Sequence, residues 1–307
     1  MKRPVLAAHF AVLAAAWGAV VNAAAPPDPA APATRTVTDD LERAVGVARP
    51  PLRIASLSPG ATETLFAAGA GAQVVATTAY SDEPPAARTL PRIGDAVAID
   101  MERLVALRPD VVVVSPALGN PAQLAKIAGI GMPLYQQQVV RLADLPPAVR
   151  RLGVLAGTQA VAERKARELE ARLAALEQRY ARPVGGGKRP SVLLQVWNRP
   201  LYTVGGHQLM SDALSLCGAR NIFGELPEPS PLVDIEAVIA RNPDIILAVA
   251  PPGEGAAWVA DWKRFGALAA VRSGRVAAFE DQALSRAGPS VIDGTEDLCR
   301  TLARLSP

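Results

Sequence analysis

The sequence predicts an α/β fold made of two similar three-layer α/β lobes, joined by one long rigid α-helix, with a cleft between the lobes. Three observations support this prediction: an internal duplication, a long helical pattern between the two copies, and short runs of apolar residues rich in β-branched side chains. Such runs, when bounded by turn residues, are typical of parallel strands that are covered on both faces.

The N-terminal 25 residues have the features of a secretory signal peptide. Lys2 and Arg3 precede an apolar run from Val5 to Val21, and alanines follow at 23–25. A membrane anchor is the alternative, although a run of about 17 residues is at the lower limit for a spanning helix. Residues 26–50 are rich in Pro and Ala, which predicts a flexible leader. We therefore expect an exported protein, and the resemblance described below implies that it works in the periplasm.

The rest of the chain divides into three predicted parts: an N-terminal lobe at 51–157, an interlobe helix at 158–184 and a C-terminal lobe at 185–307. In the interlobe helix, apolar side chains recur at helical spacing, at Leu169, Leu173, Leu176 and Tyr180. A helix over 159–182 would be about 36 Å long at a rise of 1.5 Å per residue. Two lobes joined in this way leave a cleft, which is a usual place for a small ligand.

The duplication lies at residues 100–114 and 234–248, which read DMERLVALRPDVVVV and DIEAVIARNPDIILA. Each copy begins with an Asp that can cap a helix, and a Glu follows in the first turn, where it suits the helix dipole. A Pro then ends the helix before an apolar strand. The predicted apolar face of the helices consists of Leu104, Val105 and Leu107 in the first copy and of Val238 and Ile239 in the second.

Composition narrows the possible functions. The formal charge is only +3 and no basic block is interleaved with aromatic residues, so nucleic acid is not an expected partner. After the predicted signal peptide the chain has one histidine, His207, and no phosphate-binding glycine motif, so we expect no catalytic residues and no metal site. An exported α/β enzyme remains an alternative. Cys217 and Cys299 favour a disulfide in an exported protein, and two buried free thiols are the other possibility.

Three stretches resemble the helical-backbone class of periplasmic binding proteins, which serve importers for cobalamin, haem and ferric siderophores. They are IASLSPGATETLFAAGA at 54–70, AYSDEPP at 79–85 and DMERLVALRPDVVV at 100–113. The cobalamin-binding members are the most similar, and the resemblance covers roughly residues 52–305. It implies a monomer that captures cobalamin or a related corrinoid and delivers it to an ATP-driven membrane importer. The corrinoid would be the transported ligand, and no cofactor is expected.

The resemblance also implies roles for individual residues. Cys217 and Cys299 match the cysteines of a disulfide, and Glu102 and Glu236 match glutamates that dock on arginines of the importer's transmembrane subunits. The residues implied for ligand binding are the turn of Ser58, Pro59 and Gly60, then Tyr80, Asp281 and Arg286. Asp281 matches loosely, because its spacing to Arg286 is one residue longer than in the family.

The sequence departs from the cobalamin-binding members in its aromatic residues. Ala96, Ser115 or Pro116, and Ser230 occupy positions where tryptophans are expected. Trp197 could supply a replacement ring in the cleft, with packing inside the lobe as the alternative. Trp258 and Trp262 are expected to be packing or surface residues rather than ligand contacts. Haem or a ferric siderophore is therefore the alternative ligand. Haem would need an axial ligand, for which Tyr80, Tyr202 and His207 are the candidates.

Overall fold

The structure, a computed structural model, describes residues 35–47, 50, 53–95, 97–116, 121–181 and 188–306. The predicted signal peptide lies outside these residues. Within the described part of the chain, no helix has both the length and the apolar character that a bilayer span requires.

The prediction of a flexible leader is wrong for its described part. Strands β1 (Arg35–Thr38) and β2 (Ala44–Val47) pair as an antiparallel hairpin. Val37, Val45 and Val47 are buried in the core of the molecule. These valines alternate with exposed neighbours, which is the period-two pattern of a half-buried strand. These two strands were not predicted, because each is short and the residues before them are rich in Pro and Ala.

The N-terminal lobe contains a four-stranded parallel sheet in the order β4-β3-β5-β6. Its strands are β3 (Ile54–Ser56), β4 (Val74–Ala76), β5 (Val111–Val114) and β6 (Leu134–Gln136). Its helices are α1 (Pro59–Ala67), α2 (Met101–Ala106), α3 (Pro121–Gly129) and α4 (Leu145–Ala156). Along β5, Val111 and Val113 pack with α1 and α4, whereas Val112 and Val114 pack with α2 and α3. The lobe therefore has the three predicted layers.

The hairpin covers the outer edge of this sheet. Because β6 is the last strand in this order, its outward backbone groups have no strand partner among the described residues. The Asp39 carboxylate accepts from the Gln136 amide at 3.2 Å, and Asp40 accepts from Gln138 at 3.0 Å. The Asp40 amide donates in turn to the Gln136 carbonyl. The turn of the hairpin thus satisfies the backbone of an edge strand.

The predicted interlobe helix is α5 (Gln159–Tyr180), two residues shorter at its C-terminal end than the helical pattern suggested. Leu169 and Leu176 are buried, and Leu173 and Tyr180 pack against the same core. Beside this apolar face, Arg150 of α4 forms ion pairs with Glu163 and Glu170 of α5. One face of α5 is therefore apolar and packed, as the spacing of its leucines predicts.

The C-terminal lobe is built on a sheet in the order β11-β10-β7-β8, with β9 paired to β7. Its strands are β7 (Ser191–Trp197), β8 (Tyr202–Thr203), β9 (Arg220–Asn221), β10 (Ile245–Val249) and β11 (Val276–Phe279). Its helices are α6 (Leu209–Leu216), α7 (Ile235–Arg241), α8 (Gly255–Trp262), α9 (Ala269–Arg272) and α10 (Val291–Leu305). All pairings except β7–β8 are parallel.

The duplicated segments form matching units in the two lobes. Asp100 caps α2 by accepting from the Arg103 amide at 2.9 Å, and Asp234 caps α7 by accepting from the Ala237 amide at 2.7 Å. The strands β5 and β10 that follow are fully buried and parallel to their neighbours. Both outcomes confirm the prediction from the sequence.

One part of that prediction is wrong. Leu104 and Val238 are buried, but Val105 and Ile239 are 49% and 45% exposed. A helix of fewer than two turns buries few positions, and the residue after the buried one lies about 100° around the helix axis. The apolar face of each helix is therefore narrower than its composition suggests.

A single apolar cluster runs through both lobes. It includes Ile54 and Leu65 in the N-terminal lobe, Leu169 in α5, and Leu194 and Leu247 in the C-terminal lobe. The sheets of the two lobes are thus connected by continuous packing along α5. The Cys217–Cys299 disulfide is also present, and it joins the end of α6 to α10. Both the disulfide and the long connecting helix confirm the prediction.

Candidate functional site

The carboxyl edges of the two sheets meet at one contact. The turn after β3 carries Gly60, and a Cβ atom on this glycine would lie 2.5 Å from the carbonyl oxygen of Ala287, in the segment after β11. A Cβ on Gly288 would lie 2.9 Å from the Gly60 carbonyl. Glycine at these positions allows the two backbones to approach closely. In open α/β sheets, ligands bind beyond the carboxyl ends of the strands.

The Ser58–Gly60 turn lies at this contact. Ser58 and Gly60 are buried and Pro59 is half-buried. The Ser58 carbonyl accepts from the amide and hydroxyl groups of Thr62, whereas its own hydroxyl has no hydrogen-bond partner in the described structure. A buried polar atom without a partner favours a bound water or ligand group nearby.

Tyr80 is the most exposed large apolar side chain at this edge. It lies in the loop after β4 and is 77% exposed. Its backbone has a φ of 64°, in the left-handed region that aromatic residues rarely adopt. Such strain persists only where the surrounding structure imposes it, and it concentrates at functional sites. The loop therefore holds the phenol ring out of the core.

Arg92 holds the loop that carries Tyr80. Its guanidinium donates to the Thr77 hydroxyl and to the carbonyls of Thr78 and Ser81, all at 2.8–2.9 Å. It also forms an ion pair with Asp82 at 2.8 Å. One cation thus cross-links the residues on both sides of Tyr80. Arg92 could not be predicted from the sequence, because no motif or spacing marks it.

Trp197 provides an exposed ring in the other lobe. It is the last residue of β7, at the carboxyl edge of the sheet, and is 51% exposed. Its ring packs edge-on against Trp258, with ring centroids 6.3 Å apart. Trp258 and Trp262 are buried, and the Trp262 indole donates to Gln195 at 2.8 Å. Of the two expectations for Trp258 and Trp262, packing and surface exposure, the structure shows packing, and Trp258 contacts the ring of Trp197.

Arg286 lies where the lobes touch, beside a buried carboxylate. Its Nη1 is 3.8 Å from Oε1 of Glu63, a residue of α1 that is 5% exposed. The other carboxylate oxygen accepts from the Ser290 amide at 2.9 Å, while Oε1 has no hydrogen bond in the described structure. Burial raises the pKa of Glu63, and the contacts with Ser290 and Arg286 offset this only in part. Glu63 thus connects α1 of one lobe to the segment before α10 of the other.

Asp281 has a local structural role. It is half-buried at the start of the short helix 282–285, and its carboxylate accepts from the Ala283 amide at 2.8 Å. This cap fixes the backbone that leads to Arg286. The structure therefore brings the Ser58–Gly60 turn and Arg286 together, and it places Tyr80, Trp197 and Asp281 at the carboxyl edges of the same two sheets.

A family model described as periplasmic binding protein matches residues 54–283. The chain belongs to the periplasmic binding protein family. This membership confirms the prediction of the fold class, and it confirms a solute-binding protein rather than an enzyme. Members of this family work in the periplasm.

Relatives of this periplasmic binding protein extend over most of its length. It is 34% identical to the vitamin B12-binding protein of Photorhabdus laumondii over 253 residues, which cover 82% of this chain and 88% of the relative. It is 32% identical to the vitamin B12-binding protein of Pectobacterium carotovorum, over 84% of this chain and 90% of the relative.

Solved structures have the same fold. The periplasmic vitamin B12 binding protein BtuF of Vibrio cholerae superposes with a TM-score of 0.74 at 31% identity, over 83% of this chain and 98% of that one. The periplasmic heme-binding protein RhuT from Roseiflexus sp. RS-1 superposes with a TM-score of 0.71 at 25% identity, over 84% of this chain and 100% of that one.

Glu102 and Glu236 occupy equivalent exposed positions. Each follows a capping Asp in the first turn of its helix, and the side chains face solvent. Among the described residues, neither carboxylate forms an ion pair. Because α2 and α7 run antiparallel to the strands that follow them, their first turns lie near the carboxyl edges of the sheets.

A cavity of about 310 Å³ lies within the C-terminal lobe, between the loop after β7 and the first turn of α7. Trp262 and Phe265 form its apolar wall, and Arg199 and Asp261 form an ion pair at its rim. None of the predicted ligand residues lines it. The cavity therefore does not include Tyr80, Trp197 or Arg286.

The positions where tryptophans were expected offer no ring to a ligand. Ser115 and Pro116 are half-buried at the end of β5, Ser230 is exposed, and Ala96 lies outside the described residues. Among the described residues, Tyr80 and Trp197 are the large aromatic side chains that are exposed. In the part of the chain that the structure describes, no group of three or more His, Cys, Asp or Glu residues is arranged to hold a metal ion.

Proposed function

We propose that this protein is the exported, periplasmic component of an ATP-driven importer and that it carries cobalamin or a related corrinoid between its lobes. The observation that carries the proposal is the pair of exposed rings, Tyr80 and Trp197, one from each lobe at the carboxyl edge of its sheet. A corrinoid has large apolar faces, and stacking on aromatic rings stabilises such ligands. The vitamin B12-binding relatives, at 32–34% identity, support the choice of ligand.

Polar groups at the lobe contact complete the proposed site. The amide side chains on a corrin rim offer carbonyl oxygens, to which the Arg286 guanidinium can donate. The backbone of the Ser58–Gly60 turn and the carboxylate of Asp281 lie in the same two edge regions. We assign these residues to the ligand site together with the two rings.

The experiment is a calorimetric titration of the purified mature protein with cyanocobalamin, cobinamide and haemin. A dissociation constant for a corrinoid between about 1 nM and about 1 µM, with haemin weak, is the expected result. Replacing Trp197 by Ala should weaken corrinoid binding by about tenfold, whereas Trp197→Phe keeps most of the affinity because it keeps a ring. Failure of both corrinoids to bind would overturn the choice of ligand.

Haem is the second candidate ligand, because the exposed phenol of Tyr80 could serve as its axial ligand. Haem would be favoured if haemin binds more tightly than either corrinoid and if Tyr80→Phe, which removes the phenol oxygen, abolishes this binding. A tyrosinate–iron charge-transfer band in the absorption spectrum would identify the axial ligand directly.

We also propose that Glu102 and Glu236 dock on cationic side chains of the importer's transmembrane subunits. Each carboxylate is exposed, lacks an ion pair in the described structure, and occurs once in each lobe. Reversing both charges with Glu102→Lys and Glu236→Lys should abolish stimulation of the importer's ATPase while ligand affinity stays unchanged. Unchanged stimulation would contradict the docking role.

A further inference from the structure

Two exposed aliphatic side chains occupy equivalent positions in the two lobes. Val105 is 49% exposed and Ile239 is 45% exposed, and both follow the buried residue of their short helix. They are related by the offset of 134 residues that relates Glu102 to Glu236. The duplication has therefore placed a branched aliphatic side chain in solvent twice, at the same point of the fold.

Some other positions of the two copies differ, although Ala106 and Ala240 are identical. Arg103 corresponds to Ala237, and Leu107 corresponds to Arg241. A solvent-facing helix position does not require an aliphatic residue, and β-branched residues are weaker helix formers than Lys, Glu or Ala. Helix formation alone therefore does not account for an exposed aliphatic residue at this position of both copies.

Each aliphatic side chain shares a helix face with the neighbouring carboxylate. Residues three apart on a helix are neighbours on its surface, which pairs Glu102 with Val105 and Glu236 with Ile239. The arginine within each helix is already engaged: Arg103 donates to the Arg92 carbonyl, and Arg241 forms an ion pair with Glu225 and donates to the Ile222 carbonyl. Each lobe thus presents one available carboxylate beside one aliphatic side chain.

We propose that these two pairs form one docking surface for a partner that presents a cationic side chain beside an apolar one, and presents them twice. A pair of identical subunits has this chemistry, and the partner is the transmembrane dimer of the importer. This inference rests on the proposed function. It adds an apolar contact to the charged contact that we propose for Glu102 and Glu236. The carboxylates attract and orient the partner, whereas burial of Val105 and Ile239 slows its dissociation.

The two kinds of contact respond differently to salt. Attraction between exposed charges weakens as the Debye length falls, from about 10 Å at 0.1 M salt to about 3 Å at 1 M. Burial of aliphatic side chains depends little on moderate salt. Removing the carboxylates should therefore remove the salt-sensitive part of the affinity, and removing the aliphatic side chains should lower the affinity by a similar factor at every salt concentration.

The test measures binding of the full mature protein to the importer from the same organism, reconstituted in lipid nanodiscs, across a salt series. The variant Val105→Ala with Ile239→Ala should raise the dissociation constant about tenfold or more, through a faster dissociation rate and with an unchanged salt slope. The variant Glu102→Gln with Glu236→Gln should slow association and flatten the slope. The matched control is Ile130→Ala with Val154→Ala, which removes aliphatic side chains of 53% and 44% exposure elsewhere. It should bind like the unmodified protein.

The possible outcomes separate this inference from the proposed function. If the glutamine variant binds weakly and the Val105/Ile239 variant matches the control, the apolar contact is wrong and the charged docking stands. If neither variant differs from the control, the docking surface itself is wrong. Thermal unfolding and ligand titration of each variant show whether its fold and ligand affinity are intact.

Discussion

Glu63 brings a carboxylate into the contact between the lobes, where few groups balance its charge. Arg286 is 3.8 Å away and Ser290 donates one hydrogen bond, while the more distant Glu83 raises the pKa of Glu63 further. Burying an incompletely paired charge costs stability. The arrangement is better explained by the position it gives Arg286 than by a gain in folding free energy.

The first prediction concerns the replacement of Glu63 by Gln. Because the pKa of Glu63 is raised above its ordinary value, the folded protein binds more protons here than the unfolded chain does. This contribution to the free energy of unfolding therefore falls as the pH rises from the ordinary pKa through the raised one. The Tm of Glu63→Gln relative to the unmodified protein should therefore increase as the pH rises from about 4 towards neutrality.

Calorimetric unfolding across this pH range measures the effect, with Glu168→Gln, at an exposed carboxylate of α5, as the control. Corrinoid affinity at neutral pH should fall several-fold in Glu63→Gln but should not fall further when Arg286→Ala is already present. A lower Tm of Glu63→Gln at every pH, with unchanged affinity, would mean that Glu63 serves only to join the lobes.

The second prediction concerns Arg92, which should act on the ligand only through Tyr80. Arg92→Ala removes four contacts that hold residues 77–82, so corrinoid affinity should fall about tenfold. In a Tyr80→Ala background the same change should have little further effect, and this non-additivity is measured by a double-mutant cycle. Additive losses would indicate that Arg92 contacts the ligand itself.

At the scale of the elements, the sequence predicted regular features better than single contacts. The duplicated helices, their Asp caps and the long α5 follow from spacing and propensity, which are local properties of the chain. The β1–β2 hairpin was missed because each of its strands has only four residues. Glu63 and Arg92 could not be identified, because their roles depend on partners 227 residues away in the first case and on a folded loop in the second.

The third prediction concerns the disulfide between α6 and α10. Replacing Cys217 and Cys299 by Ser should lower the free energy of unfolding by up to about 4.5 kcal/mol, because the bridge closes a loop of 82 residues in the unfolded chain. Denaturant titration measures the loss. Ligand affinity should remain, since neither cysteine lies at the carboxyl edges. A reductant should lower the stability of the unmodified protein by a similar amount and leave the variant unaffected.

At the scale of the whole molecule, the continuous core predicts cooperative unfolding. The fluorescence of Trp197, Trp258 and Trp262 reports on the C-terminal lobe, whereas circular dichroism reports on helices of both lobes. The two transitions should coincide, as they do in two-state unfolding. Leu169→Ala opens a cavity in the shared core. It should lower the free energy of unfolding by about 2–5 kcal/mol, and by the same amount in both measurements. Separate transitions would show that the lobes unfold independently.

The β1–β2 hairpin also affects the tendency of the protein to aggregate before it binds a ligand. An uncovered edge strand is a template on which another chain can add its own strand, which is a route to aggregation. A chain newly delivered across a membrane is unfolded and has other copies of itself nearby. Asp39 and Asp40, in the turn of the hairpin, hydrogen-bond to the backbone groups of β6. The hairpin therefore blocks the edge on which a second copy of the chain would pair, and it opposes self-association.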